Sequence, residues 1–140
     1  MLTVKDIQLA NHKDASQCTA YRDAVAFFTL SRKLSKNNLC ASKWRCLKQR
    51  KLAAHLTENI STSALSLPMT IAEASITVDY GKKLFFKNTI EERVEKILSL
   101  CNNLEDVYQP KDKRAKQLYR AANKLQAGVK KWSLHLTSQN

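Results

Sequence analysis

TIEERVEKILSLCNNLEDVY (Thr89–Tyr108) and, two residues later, KDKRAKQLYRAANKLQAGVKKWSLHL (Lys111–Leu136) decide the fold class. In the first segment Ile90, Val94, Ile97, Leu98, Cys101, Leu104 and Tyr108 recur at steps of three and four, the period of one helical face. In the second, Ala115, Leu118, Tyr119, Ala122, Leu125, Val129, Trp132 and Leu136 do the same. Thr89 followed three residues on by Glu92 has the form of a capping box. Glu91, Glu92 and Glu95 then fall where free amides at a helix N-terminus favour negative charge. Pro110 separates the two segments. Amphipathic helices joined so briefly are expected to pack as an antiparallel hairpin. Gly128 interrupts the last helix and suits either a close crossing or a bend.

Upstream the pattern is weaker. A helix is expected over Cys18–Ser35, with Tyr21, Ala24, Val25, Phe28 and Leu34 on its apolar stripe. Asn37 and Asn38 mark a break, and a second helix is expected over Leu39–Leu56 with Cys40, Trp44, Leu47, Leu52 and Leu56 inward. Thr57–Pro68, rich in Ser and Thr, reads as a connection. In the centre Ile76, Val78 and Tyr80 alternate before Gly81, so a β-hairpin across Tyr80–Lys83 is one reading. A helix beginning near Thr70 is the other. Leu2–Asn11 suits a short helix or a strand equally. The expected fold is therefore mainly α: one domain over residues 1–140, about four principal helices, a closing antiparallel helix hairpin and a possible central β-hairpin.

Composition agrees with a folded helical chain. Hydrophobic residues make up 44% of the 140 and charged residues 26%, too apolar for wholesale disorder. Two glycines and two prolines are too few for a turn-rich β fold. No run approaches the roughly 20 apolar residues that cross a bilayer. The N-terminus has no basic region leading into an apolar core, so an intracellular location, cytoplasmic or associated with nucleic acid, is expected. On the same ground Cys18, Cys40, Cys46 and Cys101 are expected to be reduced and mostly buried.

The charge is the functional signal. Lys and Arg number 24 against 12 Asp and Glu, a formal net charge of +12. Residues 1–60 hold 11 basic and 4 acidic residues, 61–110 hold 5 and 7, and 111–140 hold 8 and 1. No acid occurs from Ala24 to Thr57, a stretch that contains Arg32, Lys33, Lys36, Lys43, Arg45, Lys48, Arg50 and Lys51. Lys113, Lys116, Arg120, Lys124 and Lys131 follow one another by three, four, four and seven residues, which aligns them opposite the apolar stripe of the last helix. A row of cations at that spacing can follow a phosphate backbone without reading bases. The expected site for DNA or RNA is Lys43, Arg45, Arg50, Lys51, Lys113, Lys116, Arg120, Lys124 and Lys131.

Competing readings are thinner. A helical adaptor that binds an acidic protein is the alternative, and homo-oligomer formation is compatible with either. Membrane-surface binding ranks below both, because the apolar side of the last helix has a partner helix to cover it. Leu52–Leu56 and Ser61–Leu65 loosely suggest two helices about a turn, as in DNA readers. The second segment, however, has no Lys, Arg, Asn or Gln to reach a base, and an ordinary connection is the simpler reading. Gly81-Lys82-Lys83 lacks the preceding glycines of a phosphate-binding loop. His12, His55 and His135 make no zinc pattern with the cysteines. No catalytic residue, metal or cofactor is therefore expected.

Overall fold

The computed structural model describes residues 15–37, 47–107 and 113–138, and their regular structure is entirely helical. α1 is Ala15–Asn37, α2 Leu47–Leu65, α3 Leu67–Ile76, α4 Tyr80–Val107 and α5 Lys113–Ser138. Four are long; α3 is a ten-residue continuation of α2. Pro68 explains the break between them. It lies in the first turn of α3, where its missing N–H leaves no bond back to the preceding turn. Ser66 spans the junction: its carbonyl accepts from the Thr70 amide at 3.0 Å and from Thr70 Oγ1 at 2.8 Å, while its hydroxyl accepts from Arg93 of α4.

The expected β-hairpin is overturned. Among the described residues there is no strand; Ile76 ends α3 and Tyr80 already begins α4. The reason is a cap. Asp79 Oδ1 accepts from the Gly81 amide at 2.9 Å, so the chain around Gly81 starts a helix rather than turning a hairpin. The start expected at Thr89 fails for the same reason. Thr89 lies inside α4, its hydroxyl donating to the Phe85 carbonyl at 2.8 Å, and Glu91, Glu92 and Glu95 lie beyond the first turn. Nor is Thr57–Leu65 a connection: α2 runs through it. Thr57, at the core, satisfies its hydroxyl on the Ala54 carbonyl at 3.0 Å. That continuity removes the helix–turn–helix reading. The segment Leu2–Asn11 and the residues Cys40, Trp44 and Tyr108 lie outside the described residues.

The helices form an up-down-up-down bundle. α1 packs on α2 and α5, α4 packs on α2 and α5, and α3 fills one end against α1 and α4. Three cross-links tie the helices together. Ser35 near the end of α1 meets Glu58 of α2 at 3.3 Å, Arg93 reaches Ser66, and Lys124 lies 3.8 Å from Asp23. Val94 and Val129 face one another about equally far from the α4–α5 connection, as antiparallel neighbours must.

The core takes Ile90, Val94, Ile97, Cys101 and Leu104 from α4, and Ala115, Leu118, Ala122, Leu125, Val129, Trp132 and Leu136 from α5. On α1 the buried line is Ala20, Ala24, Phe27, Ser31 and Leu34, whereas Tyr21 and Val25 are exposed. Small residues at positions 20 and 24 let neighbouring helices approach closely, and Phe27 and Leu34 fill the rest of the same inward face. On α2, Leu52 is likewise exposed while Ala53, Leu56 and Ile60 are buried. Gly128 leaves room for a side chain of α1: a Cβ there would lie 2.8 Å from Asp23 Oδ2.

Candidate functional site

Every cation of the expected ridge on α5 is solvent-exposed: Lys113, Lys116, Arg120, Lys124 and Lys131. The cause is the opposite face of the same helix, whose seven apolar residues are fully withdrawn into the core. Lys130 points elsewhere. With Gln126 and Val129 it borders a shallow open groove whose other wall is Glu91, Val94 and Glu95 of α4. The α4 side of α5 is thus locally acidic, and the ridge opens toward the other side.

On that other side lies α1. Its exposed cations Arg22, Arg32 and Lys33 complement α5, because α1 and α5 pack together. Arg22 and Lys33 are eleven residues apart, which places them on one line along the helix, away from the side where Ser35 meets α2. Together α1 and α5 hold eleven Lys and Arg against a single acid, Asp23. That acid is itself largely enclosed, with 13% of its side chain exposed beside Lys124. At 3.8 Å from a lysine that is 77% exposed, the pair contributes little to stability. By contrast α4 carries five bases and five acids.

The other expected site residues do not join this layer. Arg50 is half-buried and Lys51 exposed, both on α2, which touches α1 and α4 rather than pairing with α5. Lys43 and Arg45 lie outside the described residues. Arg22 and Lys33 were legible as an eleven-residue repeat. Their membership depends on α1 lying beside α5, which no local spacing reveals.

Comparison with known proteins finds no matching family model, no similar curated protein and no similar solved structure. Chemistry must be read from the residues alone.

Among the described residues no group of three His, Cys, Asp or Glu side chains is placed to hold a metal ion. No described helix is long and apolar enough to cross a membrane. Cys101 is buried and free, and its thiol is pushed from 9.0 up to about 12, first by burial and then by the charge of Glu105. At pH 8 only about one Cys101 in ten thousand is thiolate, roughly a thousandfold fewer than in an open peptide. Iodoacetamide labelling at pH 8, read peptide by peptide by mass spectrometry, should leave Cys101 unmodified until urea unfolds the chain. Rapid native labelling would contradict its burial. The folded value is raised, so the unfolded chain loses its proton first. Cys101 therefore favours the fold fully below pH 9.0, and that contribution fades as pH rises toward about 12.

Proposed function

We propose that the α1–α5 layer binds a nucleic-acid backbone without catalysis, its exposed Lys and Arg contacting phosphates with little selectivity for bases. The observation that carries this reading is the eleven-to-one excess of bases over acids on two helices packed side by side. From Lys113 to Lys131 the ridge extends roughly 27 Å at about 1.5 Å per residue. Over that length a B-DNA duplex presents about sixteen phosphate charges, so a polyanion can engage the whole row at once. The side chains are mostly Lys, point charges that attract phosphate without the forked geometry that reads a guanine edge.

Equilibrium binding to matched single- and double-stranded DNA and RNA across a salt series tests it. With five ridge cations and two on α1 available, the logarithm of the association constant should fall against that of salt with a slope of about −4 to −6 for duplex DNA. Scrambling the sequence should change affinity little. Absence of binding at low salt would reject the reading and direct attention to an acidic protein as the partner of the same layer.

A further inference from the structure

Six of the ten large apolar side chains that the described residues leave exposed fall within 21 residues: Leu65, Met69, Ile76, Val78, Tyr80 and Phe85. Five of them, from Met69 on, lie on α3, at the corner where it turns into α4 or in the first turns of α4. Met69 and Ile76, seven residues apart, lie along the outer side of α3, while Leu67, Ile71 and Ala74 occupy its buried side; Leu65 precedes them at the end of α2. The helix is apolar on both faces, and only one face has a partner in the bundle. Phe85 lies edge-on to Phe86 at 6.0 Å, and Phe86 packs on the core, so the exposed ring is held rather than free to fold away.

We infer that this corner is the contact between two copies of the chain, related by a two-fold axis. Charge selects the occupant. From Ser66 to Gly81 the only charged residues are Glu73 and Asp79, and from Lys82 to Ile90 the only ones are Lys82, Lys83 and Lys87. A two-fold contact presents each surface to its own equivalent, so the acidic α3 of one copy can meet the basic start of α4 in the other, twice over. A nucleic acid or an anionic membrane would meet Glu73 and Asp79 together with Lys82, Lys83 and Lys87, whereas a second copy can pair both signs. Size agrees: six side chains exposed to between 40% and 90% offer several hundred Å², on the scale of the roughly 800 Å² per partner of a stable interface.

Sedimentation equilibrium from about 1 to 300 μM should show the mass rising from 15.9 kDa to twice that value, by mass action. Met69→Glu with Phe85→Glu, both at exposed positions, should weaken the dimer by about 100-fold or more, because each charge would be buried at the contact. Leu134→Glu, an equally exposed apolar position on α5, should leave the dimer intact. Circular dichroism and thermal melting of each variant separate loss of association from loss of fold. A mass of 15.9 kDa at every concentration overturns the inference. So does a dimer that survives both glutamates, or one that Leu134→Glu dissolves equally.

Discussion

Replacing Lys116, Arg120 and Lys131 together by Gln should lower affinity for duplex DNA by at least about 30-fold at low salt and flatten the salt slope by about 3. Lys124 is left in place because it stands beside the enclosed Asp23, whose charge partly offsets its own. All three substituted positions are exposed, so the melting temperature should move by no more than about 2 °C. Lys96→Gln, at an exposed position on the charge-balanced α4, is the control and should change neither affinity nor slope appreciably. A triple variant that keeps the wild-type slope would remove α5 from the interface. Equal losses in the triple variant and the control would mean that binding responds to net charge and not to a face.

The second large effect is on the fold. Among the described residues Trp132 is the largest side chain with no exposure, and Trp132→Ala should cost about 3–5 kcal/mol. Set against the 5–15 kcal/mol that typically holds a domain together, this removes a third or more of the total. For a chain of this length it corresponds to a fall of about 10–20 °C in melting temperature, measurable by far-ultraviolet circular dichroism. Among the described residues the indole Nε1 has no hydrogen-bond partner. Trp132→Phe therefore forfeits packing volume alone and should cost much less than the alanine. A loss of less than about 3 °C in Trp132→Ala would place the ring outside the core.

The two C-terminal stripes were legible because one unbroken face leaves a single solution. Ile90, Val94, Ile97, Cys101 and Leu104, and Ala115, Leu118, Ala122, Leu125, Val129, Trp132 and Leu136, are buried as their spacing requires, while Leu98 and Tyr119 of the same stripes are half-buried against the core. The ridge on α5 followed as the complement of that face. Failures came where local signals competed. Thr89 and Glu92 resemble a helix start, yet Asp79 caps the helix three turns earlier. The serines and threonines of Thr57–Leu65 suggest a loop, but such hydroxyls can bond back to the helix that carries them, as Thr57 does. On α1 two apolar lines overlap, and tertiary packing chose the one with alanines over the one with Tyr21 and Val25. The candidate site was half legible for a related reason. Spacing shows which cations share a helix face, whereas only the bundle shows which helices share a layer. Arg22 and Lys33 thereby joined the ridge, and Lys51 was left on another helix.

Asp23 and Gly128 are chemically one choice made at two places in the chain. An alanine at 128 would gain about 1 kcal/mol of helix propensity over glycine, yet its methyl would occupy the space that the Asp23 carboxylate now takes. The sole acid of the positive layer is thus accommodated by a missing side chain on the facing helix. In divergent descendants of this chain a larger residue at 128 should be commoner where the acid at 23 has been lost, because the carboxylate is the group it would have to turn aside. Loss of both would leave the layer more stable and more positive at the same time, so a lineage that retains the pair is holding the charge of that surface below its attainable maximum.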